Sequence, residues 1–97
     1  MSWTVVRYEQ TPNPNALKCW LDRAITDRPR SFRSADDVGG DPLASPVFAV
    51  DGVAGLLFNG DWMTVNKRPE AAWPGVKRGV EAALAALPRD VMGDAAS

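Results

Sequence analysis

Cys19 is the only thiol of the chain, and the sequence contains no histidine. A thiolate can ligate metal or enter a mixed disulfide, and a cation beside it, such as Lys18, can lower its pKa. Leu17, Cys19 and Leu21, however, alternate with Lys18 and Trp20. That period of two is a half-buried strand with Leu17, Cys19 and Leu21 turned inward. Lys18 then points to the opposite face and cannot assist Cys19, so the expected role of the thiol is that of a small buried hydrophobe. The alternative is a metal carrier that uses Cys19 across a homodimer. Without His, general acid–base work would fall to carboxylates. The acids sit in turn, cap and loop contexts, and Asp41 and Asp61 have structural tasks there. Gly39-Gly40 and Gly52 are spaced like turns and do not form a phosphate loop after a strand. No catalytic constellation is present, so the chain is expected not to be an enzyme and to hold no metal or cofactor.

Binding chemistry is better represented. Trp20 and Trp62 fall on the sheet face opposite the predicted helices, together with Lys18 and Leu57. Aromatic anchors flanked by charge build protein interfaces, and large aromatics left on an open face need a reason. Two readings stand: the face docks a partner, or the segment Ile25–Arg33 folds over it. The stretch Thr11-Pro12-Asn13-Pro14-Asn15-Ala16-Leu17-Lys18 is a second candidate. Each proline locks φ and removes a donor, the residue before it is pushed to extended geometry, and the Asn side chains can bond nearby backbone. A stiff, shaped loop between two strands results. The candidate partner-binding residues are therefore Pro12, Asn13, Pro14, Asn15, Lys18, Trp20 and Trp62. A third reading, a pocket for a small ligand of unknown identity, would require a well-formed cavity with converging polar groups.

These residues need elements to hold them. Trp3 to Glu9 reads as a first strand, rich in β-branched and aromatic residues, and Leu17 to Leu21 as a second. Ile25 to Phe32 is expected to be an edge strand or irregular hairpin partner, since Arg28-Pro29-Arg30 weakens a central position. Ser34 to Gly40 reads as loop. Asp41-Pro42 is a helix start, and Pro46 predicts a broken first turn before a short helix that buries Leu43, Val47 and Phe48 and stops at Asp51-Gly52. Asn59-Gly60 is a strong hairpin signal. A turn there pairs Phe58 with Asp61, Leu57 with Trp62, Leu56 with Met63 and Ala54 with Val65. Ala54, Leu56, Phe58, Met63 and Val65 then share the inner face, and Leu57, Trp62, Thr64 and Asn66 the outer. Trp73, Val76, Val80, Ala83, Leu84 and Leu87 recur at helical spacing, between Pro74 as start and Pro88 as stop. The order implies an α+β fold, an antiparallel β-sheet with two helices packed on one face.

With 97 residues and a hydrophobic fraction of 45%, the chain suits one domain with a single core. That domain is expected over 1–90, with a flexible tail over 91–97. A net charge of −1 gives no field to recruit nucleic acid or an anionic membrane. No apolar run reaches spanning length, and the N-terminus lacks a basic region followed by an apolar stretch. One Cys excludes a disulfide framework. The resulting expectation is a reduced, cytoplasmic protein.

As a string, Thr11-Pro12-Asn13-Pro14-Asn15-Ala16-Leu17-Lys18 resembles the opening signature of the Nfu/NifU N-terminal domain, which precedes the cluster-binding domain in Nfu-type iron–sulfur scaffold proteins. Asp41-Pro42-Leu43-Ala44 and Val47-Phe48-Ala49-Val50-Asp51-Gly52-Val53 are similar to the family's S-P-L-A…L-F-x-I-x-G-V segment. Leu57 to Lys67 is similar to its V-F-F-G-x-D-F-I-T-V-T-K hairpin, and Trp73 stands where the family has a Trp before its last helix. The likeness runs from Val6 to Leu87. In the scaffold proteins the cluster sits on a C-x-x-C pair in a second domain. Clusters take about four thiolates, and Cys19 alone cannot supply them. The resemblance thus implies the accessory domain of an iron–sulfur system, with a protein partner in cluster assembly or a cluster-requiring enzyme, and iron binding only at the level of the family.

Overall fold

The computed structural model describes residues 3–87. Five strands, β1 (Val5–Gln10), β2 (Ala16–Leu21), β3 (Arg30–Phe32), β4 (Val53–Asn59) and β5 (Trp62–Lys67), form one sheet. Their spatial order is β1-β2-β5-β4-β3, and every neighbouring pair is antiparallel. Three helices, α1 (Ala35–Val38), α2 (Ala44–Phe48) and α3 (Trp73–Ala86), complete the α+β architecture. Their inward residues, among them Val38, Val47, Val76, Val80 and Leu84, join Cys19, Phe58, Met63 and Val65 in a single core. The helices thus cover one face of the sheet.

Alternation explains that face. Leu17, Cys19 and Leu21 of β2 are buried, and so are Met63 and Val65 of β5 and Leu56 and Phe58 of β4. Ala54 departs from expectation and is exposed. The β4–β5 register shifts between Val53 and Gly55, so Ala54 is the extra residue of a bulge and is turned out of the inner row. The hairpin forms, but its register is two residues from the expected one: Asn59 pairs with Trp62, Phe58 with Met63 and Leu56 with Val65. Gly60 takes φ 62 at the first central position, and among the described residues no non-glycine has positive φ. The turn is therefore Gly60-Asp61, as in a type II′ hairpin, rather than Asn59-Gly60. A slip of two preserves the side-chain period, so apart from Ala54 each face kept its residues.

Ser34 to Gly40 is not all loop. The Ser34 hydroxyl accepts from Asp37 N, and the Asp37 carboxylate accepts from Arg33 N at 2.9 Å. This reciprocal cap starts the one-turn helix α1. Asp41 Oδ1 accepts from the backbone N–H of Leu43 and of Ala44, each at 2.9 Å, and α2 begins at Ala44. Pro46 therefore lies in the first turn, where a missing donor costs nothing. Leu43 and Val47 are buried, Phe48 is half-buried, and the helix ends at Phe48, before Asp51-Gly52. Ile25–Phe32 contributes only the three-residue edge strand β3, paired with β4.

Trp3 precedes β1 and is a core plug: its indole N–H donates to Ala24 O at 3.1 Å and the Arg23 guanidinium lies 4.0 Å from its ring centroid. The expected stop at Pro88 and the tail over 91–97 lie outside the described residues.

Candidate functional site

Residues paired across neighbouring strands share a face, so the register defines the side of the sheet away from the helices. One row runs Arg7, Trp20, Trp62, Asn59, and the next Glu9, Lys18, Thr64, Leu57, Ser31. Trp20 and Trp62 stand opposite each other with ring centroids 6.5 Å apart and planes at 53°. Lys18 Nζ lies 4.3 Å from each centroid, and the Arg7 guanidinium lies 5.0 Å from that of Trp20. Each indole therefore carries a cation against its π-system, an attraction worth about 0.5–1 kcal/mol at an exposed site. Glu9 closes the cluster. It accepts from Trp20 Nε1 at 3.0 Å and lies 3.5 Å from Arg7. The Trp20 hydrogen bond, aided by the charges of Lys18 and Arg7, holds the Glu9 carboxyl below the ordinary carboxylate range.

The segment Ile25–Arg33 does not cover these rings. Ile25 is fully buried in the core cluster that also holds Trp3 and Leu21, its N–H bonded to Gly60 O, and Phe32 packs edge-on against Phe58 on the helix side. Trp20 and Trp62 are half-buried, and each stands against the other and against Lys18.

The proline–asparagine loop is held by its own hydrogen bonds and by two neighbouring elements. Asn13 Oδ1 accepts from Asn15 N at 2.9 Å, an Asx turn, and the Thr11 hydroxyl lies within 3.0 Å of the carbonyls of Asn13 and Ala16. Pro14 O accepts from Trp73 Nε1 at 3.0 Å. Asn15 O accepts from Lys67 N at 2.9 Å, and Asn15 Oδ1 from Lys67 Nζ at 3.0 Å. The loop is thereby fastened to the end of β5 and the start of α3. Pro12, Asn13 and Pro14 are exposed, but Pro14 and Asn15 spend their polar groups holding the loop. The Trp20–Trp62 pair lies at the other end of β2, four residues or roughly 13 Å from Ala16. The site residues read from sequence thus form two groups.

An open groove of about 500 Å³ adjoins the loop, lined by Asn13, Asn15, Arg33, Leu57, Thr64 and Asn66 among others, whereas Lys18, Trp20 and Trp62 stand outside its lining. Thr64 lines the groove and pairs with Lys18 in register, so the groove borders the tryptophan cluster there. Arg7, Glu9 and Arg33 were absent from the sequence-derived site. The alternation of β1 carried a signal for Arg7 and Glu9, whereas Arg33 is brought in by the β3–β4 pairing. Lys67 was legible too, since it continues the inward row Met63, Val65. It is almost fully buried, and its Nζ reaches the carbonyls of Arg68 and Pro69 as well as Asn15.

Cys19 is 1% exposed beneath α3, and burial pushes its thiol up to about 12. At neutral pH it stays protonated, which suits packing and not ligation. Among the described residues no three His, Cys, Asp or Glu side chains converge, so the donor set does not fit an iron–sulfur cluster.

The sequence matches the family described as "Scaffold protein Nfu/NifU N terminal" over residues 6–88. The chain belongs to the Nfu/NifU N-terminal domain family. Its relatives include NifU-like protein 4, mitochondrial, of Arabidopsis thaliana, 28% identical over 81% of this chain and 28% of that protein. Another is the NFU1 iron-sulfur cluster scaffold homolog, mitochondrial, of Drosophila ananassae, 31% identical over the same shares. The chain spans under a third of the length of these relatives. The crystal structure of protein SAV1430 from Staphylococcus aureus superposes with a TM-score of 0.68 at 25% identity, over 82% of this chain and 96% of that one. The solution structure of a NifU-like protein from Saccharomyces cerevisiae superposes with a TM-score of 0.70 at 24% identity, over 80% and 72%. The relatives correct one expectation. They are named mitochondrial, as is NifU-like protein 5 of Arabidopsis thaliana, which points to mitochondria rather than the cytoplasm.

Proposed function

We propose that this domain is a non-catalytic docking module of an iron–sulfur cluster assembly or delivery system, and that it receives a protein partner on the open face of its sheet. The observation that carries the reading is the Trp20–Lys18–Trp62 cluster on a face that neither the helices nor the Ile25–Arg33 segment covers. Tryptophan is among the residues enriched at interface hot spots. Family membership supports the choice of pathway, because named relatives are iron-sulfur cluster scaffold homologs. In this reading the cluster is cargo held by the partner, and this chain contributes recognition alone. The proline–asparagine loop braces the face at one end, with Asn13 the exposed contact.

The test is affinity capture from an anaerobic lysate of the source organism, with wild-type and Trp62→Ala domains side by side. Iron–sulfur assembly factors or cluster-requiring enzymes recovered by the wild type and lost with Trp62→Ala support the proposal. Equal recovery by both removes the Trp face from the account.

A further inference from the structure

The charges of the open face differ from those of the chain as a whole. Arg7 and Lys18 lie on it and Arg33 lines the groove, against the carboxylates of Glu9 on the face and of Asp37, which accepts from Arg33 N at 2.9 Å. The face is thus positive on a chain whose net charge is −1. Glu9 is also spoken for, by Trp20 Nε1 and Arg7. Two of the cations have unused donors. Among the described residues Lys18 Nζ faces two indoles and makes no hydrogen bond, and the Arg33 guanidinium makes none either, its backbone N–H bonding Asp37. A half-buried ammonium with idle N–H groups and a guanidinium at a groove wall both suit carboxylates.

Their separation sets the shape of the occupant. The row Lys18, Thr64, Leu57, Ser31 crosses four strands, which is three spacings or about 14 Å. Arg33 lies two residues beyond Ser31. An extended chain advances about 3.3 Å per residue, so acidic residues four or five apart reach Lys18 and Arg33 together. Between them the groove offers Leu57 as an apolar floor and Thr64 and Asn66 as polar partners for a backbone.

Resting on the docking reading above, we propose that the partner element received here is an extended, acidic peptide segment, with one carboxylate on Lys18 between the two tryptophans and a second on Arg33. A single-stranded nucleic acid is the less favoured occupant. Bases stack on free aromatic faces, and here both indoles already carry cations.

The proposal is tested by following backbone amides of the ¹⁵N-labelled domain during titration with two blocked peptides, acetyl-Asp-Ala-Leu-Ala-Asp-amide and its counterpart with both Asp changed to Asn. The expected result is that the Asp peptide shifts Lys18, Leu57 and Thr64 and binds about fivefold or more tightly than the Asn peptide, in line with exposed ion pairs. Lys18→Gln combined with Arg33→Gln should erase that preference. Equal binding of the two peptides, no shifts at millimolar Asp peptide, or tighter binding of an oligothymidylate to the same amides would each overturn it. Failure here is distinguishable from failure of the docking reading. Capture that needs Trp62 while the peptides bind alike leaves docking intact and rejects the acidic segment, whereas capture indifferent to Trp62 rejects the docking face itself.

Discussion

Trp20 and Trp62 stand directly opposite each other on β2 and β5, with ring centroids 6.5 Å apart. The pair contributes to the sheet as well as to recognition. An aromatic pair is worth about 0.5–1.5 kcal/mol, and the Lys18 contact adds a similar or smaller amount. Trp62→Ala is expected to lower unfolding stability by about 1–2 kcal/mol in urea titration and to leave the far-ultraviolet spectrum unchanged. A loss of the folded spectrum would show that Trp62 is core and not face.

Lys67 and Asn15 form the strongest tie between the proline–asparagine loop and the sheet. Lys67→Met leaves Asn15 Oδ1 and the carbonyls of Arg68 and Pro69 without their donor. These acceptors are only partly buried, so the expected destabilisation lies at the lower end of the about 1–3 kcal/mol that orphaning a buried acceptor costs. In a double-mutant cycle with Asn15→Ala the two losses should be less than additive, since each removes the same bond. Full additivity would contradict the tie.

Gly79 lies on α3 where α2 leads into Val50. A Cβ added at Gly79 would sit 2.5 Å from Val50 Cγ1. Alanine gains about 1 kcal/mol of helix propensity, but overpacking costs about 1–3 kcal/mol, so Gly79→Ala should be net destabilising. Trimming the obstacle with Val50→Ala should recover part of the loss. Stabilisation by Gly79→Ala alone would show that the contact yields freely.

Alkaline pH tests the placement of Cys19. Its thiol is raised from 9.0 to about 12, first by burial and then by the charge of Glu81. Above the ordinary value the unfolded chain gives up the proton while the folded chain keeps it. Unfolding then releases a proton, and stability falls as pH rises towards about 12 and is complete below 9.0. Tyr8 acts in the same direction, raised by burial and by its hydrogen bond to Glu81. Cys19→Ala should flatten the decline of the urea midpoint above pH 9.0. Alkylation of Cys19 should be slow in buffer and fast in denaturant; rapid native alkylation would reopen the carrier reading.

The sequence made the inner row of the sheet legible, because alternation in β2 and β5 is clean and one face meets the helices. The same period kept the faces right when the hairpin turned at Gly60-Asp61 instead of Asn59-Gly60. Ala54 was misplaced because a bulge breaks the period without any glycine or proline at the bulged residue itself. The Ser34–Asp37 cap was readable in principle, but a helix of one turn has too little apolar periodicity to announce itself. Of the site, the Trp20–Lys18–Trp62 grouping followed from alternation alone. The role of the proline–asparagine loop did not, because bonds from Pro14 to Trp73 and from Asn15 to Lys67 join residues 59 and 52 positions apart. The groove and Arg33 depend on which strands neighbour β4, and local pattern says nothing of that order.

The central claim is that the open sheet face docks a protein partner. The most direct measurement compares what wild-type and Trp62→Ala domains retain from an anaerobic lysate, with Val6→Lys as a control at an exposed residue outside the two face rows. The account predicts iron–sulfur proteins on the wild type and on Val6→Lys, and their loss with Trp62→Ala although that variant remains folded. The same proteins retained by all three domains, or none retained by the wild type, would contradict it.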